Sequence, residues 1–289
     1  MGRGKLRWSE RDAAPEEPAF SGTETKNDRP VWPDTPERQS LDRAVNDLYR
    51  AFGGRKLSHN GPAICTVCCA PEEVAERIRD ASTPQSISFE DLSEFHSAAK
   101  GDGAGKDMAF LLPRTLEFVA RGREPRSAGL FALFAHDFPP MWAKLSDRER
   151  DAVHAYCRAL ARWHLSLPPD ATCDYGLMDV IEMAAAGGFG VDPILDELSE
   201  PPATDKGDDA LVDLVLDRAD FWQRPPKLYQ TDSAVAAHIA QRLRTAVAAP
   251  STIARLERLA LSDDDPARAE RASLAHQIAE NEAGMADRS

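Results

Sequence analysis

Apolar residues recur every three or four positions along most of this chain, which is the spacing of one helix face. The first clear series is Leu41, Ala44, Val45, Leu48, Tyr49 and Phe52, and Gly53-Gly54 ends it. Capping residues and prolines predict further helices near 71–81, 88–99, 112–121, 127–134, 146–164, 174–186, 192–199, 210–222, 232–248, 251–261 and 266–281. No segment alternates with a period of two, so no sheet is expected. The pattern predicts an all-α fold, an antiparallel multi-helix array that is compatible with solenoid-like stacking.

The helical pattern divides the chain into three parts. Residues 1–36 carry five prolines, mixed charges and no apolar period, which is typical of a disordered arm. Residues 37–169 are predicted to be a helical N-terminal half that carries most of the cysteines. After Pro168-Pro169, residues 170–289 are predicted to be an acidic helical C-terminal half. The whole of 37–289 is also long enough to be one domain.

Composition and the chain ends indicate a cytoplasmic protein. Hydrophobic residues make up 42% and charged residues 29% of the sequence, as in soluble globular proteins. The apolar run Ala128–Ala135 is far too short to cross a bilayer. No apolar segment follows the basic residues at the N-terminus, so no signal peptide is predicted. No membrane partner is therefore expected, and the thiols should be reduced.

Negative charge is concentrated in one segment. The chain has a net charge of −13, and residues 170–222 hold fourteen acidic residues against two basic ones. A field of this sign repels nucleic acid and attracts a basic protein. Two interpretations stay open, a solvated face that keeps the protein soluble and a docking surface. If it is a docking surface, its candidate partner-binding residues are Asp208, Asp209, Asp213 and Asp217.

Three of the five cysteines lie together, as Cys65, Cys68 and Cys69, just ahead of a predicted helix. A Cys-x-x-Cys turn supplies two zinc ligands, and Cys69, His59 and His96 are candidates to complete the set. The same spacing at a helix N-terminus also suits thiol exchange. A third interpretation is that these are simply packed cysteines. His96 lies on an apolar helix face, where a histidine is more typical of a core than of a metal site.

Other chemical patterns are weaker. The segment 101–106 is rich in glycine but lacks the residues and the preceding strand of a phosphate-binding loop, so it is predicted to be a connector. Cys157 and His164 share one face of the 146–164 helix, where a nucleophile pair is conceivable and a core is more typical. No hydrolase, metalloprotease, calcium or kinase motif is present, so no catalytic or cofactor-binding residues are predicted.

Four short segments carry a resemblance to a known group. They are Leu48-Tyr49-x-x-Phe52, Cys65-x-x-Cys68, Phe110-Leu111-Leu112-Pro113-Arg114-x-Leu116-Glu117, and Asp147 with Glu149-Arg150 at the start of a long helix. Between about residues 40 and 280 the chain resembles a family of bacterial all-helical proteins that has no established activity. The resemblance implies a helical fold and a role for Cys65 and Cys68.

Two functions are compatible with these features. The first is a helical protein that binds a basic protein through its acidic surface. The alternative is a zinc-binding or thiol-redox protein that uses Cys65 and Cys68.

Overall fold

The computed structural model describes residues 32, 34–58, 61–101, 104–125, 134, 138–167, 173–199, 205–217, 233–261 and 265–286. Within these ranges every extended regular element is a helix and no strand is present, which confirms the predicted all-α fold. The predicted arm at 1–36 and the helix predicted near 127–134 lie almost entirely outside the described residues. None of the described helices is long and apolar enough to cross a membrane.

Twelve α-helices and one 3-10 turn are described in the ranges above, and they belong to one compact unit, Pro33–Ser289. The helices are α1 Pro36–Phe52, α2 Glu72–Asp80, α3 Phe89–Ser97, α4 Ala104–Ala120, α5 Phe138–Trp142, α6 Asp147–Ser166, α7 Leu177–Gly187, α8 Asp192–Ser199, α9 Asp205–Asp217, α10 Ser233–Val247, α11 Pro250–Ala260 and α12 Pro266–Ala286, with the 3-10 turn at Pro84–Ser86.

The core is built around α1, α4 and α6. The apolar face of α1 packs against both other helices, and α6 also contacts α7, α8 and α9. Trp163 and Tyr156 of α6 are among the largest fully buried side chains, together with Leu41 and Leu48 of α1. Because α1 and α6 are about one hundred residues apart, this pairing differs from a solenoid, in which each repeat contacts only its neighbours.

Helices α1, α4 and α9 begin earlier than the sequence pattern predicts, and α9 does so at Asp205 rather than near residue 210. Helix α1 begins at Pro36, because the Thr35 side chain accepts the Arg38 backbone N–H and caps it. Helix α4 begins at Ala104, so the prediction of a start near Leu112 was wrong. Its interior proline, Pro113, is tolerated because almost the whole segment from Asp107 to Ala120 is buried, and that burial outweighs the lost hydrogen bond.

Residues of the Leu-Pro-Arg-x-Leu-Glu segment connect α4 to α1. Glu117 accepts hydrogen bonds from the Tyr49 hydroxyl at 2.5 Å and from Arg114 at 2.6 Å, and it also pairs with Arg121. Burial by itself raises the pKa of Glu117, but the hydrogen bonds from Tyr49 and Arg114 outweigh it and hold the pKa below its usual value. Tyr49, Arg114, Glu117 and Arg121 thus form a polar network between two core helices.

The start of α6 is fixed to the end of α1. Ser146 and Glu149 form a capping box, which the Ser-x-x-Glu pattern of the sequence predicts at this helix start. Glu149 also accepts two hydrogen bonds from Arg55, at 2.6 and 2.7 Å, and its side chain is buried. Burial by itself raises the pKa of Glu149, but Arg55 and Ser146 outweigh it and lower the pKa. This paired carboxylate connects the start of α6 to the segment that follows α1.

Candidate metal centre

The three cysteines lie on a loop that joins α1 to α2, and the loop is paired with the segment after α3. The Cys65 backbone N–H donates to the Ala99 carbonyl at 2.9 Å, and Gly101 N–H donates to the Ala63 carbonyl at 2.9 Å. Between these two bonds, Ile64 and Lys100 form an isolated antiparallel bridge. The backbone that enters the cysteine turn is therefore held in one position.

A buried aspartate holds the same loop from the other side. Asp107, in the first turn of α4, has no solvent exposure, and its carboxylate accepts the backbone N–H of Ser58 at 2.8 Å and of Ala63 at 2.7 Å. A buried carboxylate needs such donors because it is otherwise desolvated without compensation. Nothing in the local sequence distinguishes Asp107 from an ordinary acidic residue at a helix start, so its role is not predictable from the sequence.

The cysteine turn itself is tight and exposed. Residues 66–69 form a turn, and the Ala70 N–H donates to the Cys65 carbonyl at 3.1 Å to close it. Val67, at the tip, is 94% exposed, and Cys68 and Cys69 are exposed while Cys65 is half-buried. The turn then passes through Pro71 into α2. The sulfurs are thus presented at the protein surface by a fixed base.

The three sulfur atoms converge. Cys65 Sγ lies 3.5 Å from Cys68 Sγ, and Cys68 Sγ lies 3.4 Å from Cys69 Sγ. All three lie within 4.8 Å of one another, and all are free thiols. In the part of the chain that the structure describes, this is the one group of three potential metal ligands that meets this distance. Cys69 therefore belongs with the Cys-x-x-Cys pair.

Backbone donors distinguish Cys65 from its neighbours. The N–H groups of Cys68 and Val67 donate to its sulfur and lower the pKa of the Cys65 thiol to about 7. Contact with the sulfurs of Cys69 and Cys65 instead raises the pKa of Cys68 to about 11. A sulfur that accepts two backbone hydrogen bonds has its negative charge stabilised, and the same bonds orient a ligating sulfur.

This difference predicts the pH dependence of alkylation in the reduced, metal-free protein. Because the thiolate is the nucleophile, the rate at which iodoacetamide modifies Cys65 is expected to rise through about pH 7 as the thiol ionises. Cys68 should follow only at much higher pH. Timed quenching and mass spectrometry of the peptides would give both rates. A Cys65 rate that rises only near the ordinary cysteine value of about 8.5 would contradict the described turn geometry.

The structure places His96 in the core and not at the sulfurs. The Thr115 hydroxyl donates its one proton to the Leu111 carbonyl at 3.1 Å, so His96 Nε2 donates to Thr115 Oγ1 at 3.0 Å. The ring also lies beside Phe95 and Phe138. Within the described residues, the group of atoms inside 4.8 Å holds three sulfurs and no His96 nitrogen. His59, the other candidate, lies outside the described residues.

Cys157 and His164 are core residues of α6. Cys157 is fully buried, and burial raises the pKa of its thiol to about 12. His164 is also buried, with Nε2 3.3 Å from the Tyr175 carbonyl. A thiol that is protonated at neutral pH is a poor nucleophile. This geometry favours packing over chemistry at Cys157.

Intramolecular ion pairs occupy the described aspartates among those that were predicted to bind a partner. Three of the four, all on α9, form ion pairs with arginines of α11 and α12. The pairs are Asp208–Arg255 at 2.5 Å, Asp209–Arg268 at 2.8 Å, and Asp213–Arg271. The side chain of Asp217 lies outside the described part. These pairs connect α9 to the α11–α12 hairpin, and the binding of a basic protein by this face stays a prediction.

No protein-family model, curated protein or solved structure matches the chain. The resemblance to a bacterial helical family therefore stays a prediction. The evidence for a metal site is the geometry of the three cysteines.

Proposed function

We propose that this protein binds one thiophilic divalent metal ion, zinc in the first place, through Cys65, Cys68 and Cys69. The observation that carries the proposal is the convergence of three free sulfurs within 4.8 Å on one surface turn. Thiolates are soft ligands and select zinc and similar ions over magnesium or calcium. A single cation placed between the three sulfurs is within reach of each of them.

The third sulfur favours metal binding over thiol exchange. Exchange needs one attacking and one resolving thiol, and Cys65 and Cys68 would suffice for it. Cys69 Sγ lies as close to Cys68 as Cys65 does, at 3.4 Å against 3.5 Å. Three thiolates at this spacing repel one another, and a divalent cation between them removes that repulsion. Three neighbouring cysteines are thus better suited to bind a metal ion than to exchange a disulfide.

The surroundings of the turn also support a metal site. Two hydrogen bonds to the segment after α3 and two to the Asp107 carboxylate hold Ser58, Ala63 and Cys65 before any ion is bound. A ligand set that is held in advance loses less conformational entropy when the ion binds. The neighbouring backbone of Cys68 and Val67 lowers the pKa of Cys65 and so favours the thiolate, which is the form of cysteine that binds a metal ion.

Cobalt titration of the reduced, metal-free protein tests this proposal. Cobalt(II) is expected to bind once per chain, with sulfur-to-cobalt charge-transfer absorption, and one equivalent of zinc should displace it. A Cys173→Ser variant is the matched control, because Cys173 is a half-buried thiol outside the cluster, and it should bind like the wild type. Absence of saturable binding, or binding that depends on Cys173, would contradict the proposal.

A further inference from the structure

The three cysteines leave one position of a tetrahedral ion without a ligand from the described chain. Zinc at structural sites takes four protein ligands, whereas three protein ligands with one exchangeable position are the pattern of open sites. In the described ranges, no histidine, aspartate, glutamate or further cysteine places a ligand atom in the group with the three sulfurs. His96, the nearest candidate from sequence, hydrogen-bonds Thr115 in the core.

The three sulfurs lie on an exposed turn. Cys68 and Cys69 are exposed, and Val67 between Cys65 and Cys68 is 94% exposed. The Cys65 N–H donates to the Ala99 carbonyl and the Ala70 N–H donates to the Cys65 carbonyl, so backbone hydrogen bonds fix the base of the turn to the protein. An ion held by the three sulfurs would therefore have its fourth position on the solvent side. A soft ion prefers a thiolate there over water.

Resting on the proposed metal binding, we propose that the site is open and that an external small-molecule thiol supplies the fourth ligand. The chain, the ion and the external thiol then form a ternary complex with three cysteine thiolates and one exchangeable thiolate. Glutathione is the small-molecule thiol used as the probe. An exchangeable fourth ligand allows the ion to leave by ligand substitution. A closed four-cysteine site would allow this only after a protein ligand is released.

Glutathione added to the cobalt-loaded protein tests the inference, with a phosphine as the only reductant so that no other thiol is present. The charge-transfer band is expected to grow by about one third, from three thiolates to four, and to saturate at one glutathione per chain. S-methylglutathione is the matched control, since it lacks the free thiol and should leave the band unchanged.

Several outcomes would overturn the inference. A band that glutathione leaves unchanged would show that no external thiol binds the ion, and a His59→Ala variant whose band glutathione does enlarge would identify His59 as the fourth ligand. Dimer formation on cobalt addition, measured by light scattering, would show that a second copy supplies the thiol. If the wild type binds no cobalt at all, the proposed function fails instead, so the two failures are distinguishable.

Discussion

A Cys65→Ser, Cys68→Ser double variant is expected to bind zinc more than about 100-fold more weakly than the wild type. Outer-shell changes alone cost roughly 10–100-fold in metal affinity, and this variant removes two direct ligands. Serine has the shape of cysteine with a smaller and more polar terminal atom, which a turn at the protein surface accommodates, so the fold should be retained. The hydrogen bond from the Cys65 backbone to Ala99 does not depend on the sulfur. The expected result is therefore a folded protein without its metal site.

Competition with a chromophoric zinc chelator measures that affinity, and thermal unfolding with and without zinc gives a second measure. Zinc at about 100 times its Kd should stabilise the wild type by about 2.7 kcal/mol and raise its Tm, while the double variant should not respond. Cys173→Ser serves as the control for general thiol loss. A double variant whose Tm rises with zinc as much as that of the wild type would show that the cysteine turn is not the zinc site.

An Asp107→Ala variant is expected to lose about 3 kcal/mol of unfolding free energy and to weaken zinc binding. The substitution leaves the backbone N–H groups of Ser58 and Ala63 without their charged acceptor in a buried setting. Hydrogen bonds to a charged group contribute about 1.5–3 kcal/mol each. Because Ala63 lies two residues before Cys65, the loss should reach the metal site as a looser ligand set.

Urea unfolding and cobalt titration of the same variant separate the two effects. An Asp107→Asn variant keeps one acceptor oxygen, so it should lose roughly half as much stability as the alanine variant. Asp80→Ala is the surface control, because that side chain is 72% exposed and its loss should stay within about 0.5 kcal/mol. If Asp107→Ala unfolds like the Asp80 control, the carboxylate does not hold the cysteine loop.

The helices were predictable because their apolar faces repeat within a few residues. The bounds of α8 and α11 agree closely with the predicted segments, and the capping box at Ser146 was readable from four consecutive residues. Helix α4 was mispredicted because Gly105 and Pro113 both argue locally against a helix. Burial of the residues around them is a tertiary effect that the local pattern does not carry.

The cysteines of the candidate site were predictable from the sequence, whereas the aspartate that holds their loop was not. The spacing of Cys65 and Cys68 predicts that their sulfurs can meet, and the turn brings Cys69 to them as well. The role of Asp107 depends on contacts with Ser58 and Ala63, more than forty residues away in sequence. Such a contact has no local signature.

The acidic segment is a second case in which contacts between distant residues were not predictable from the sequence. Counting charges predicts a negative face, but it does not show where the neutralising charges lie. Arg255 is 47 residues from Asp208, and Arg268 is 59 residues from Asp209. Those pairs form only because α9 contacts the α11–α12 hairpin. A charge imbalance in sequence is therefore a weak guide to a free charged surface.

Metal content of the native protein tests the central claim most directly. The protein should be purified without chelator and without a nickel column, and its bound metal and reactive thiols counted in the same sample. The account predicts one zinc ion per chain, with Cys65, Cys68 and Cys69 protected from thiol reagents until a chelator is added. A protein with no bound metal, whose three cysteines react equally fast with and without saturating zinc, would contradict it.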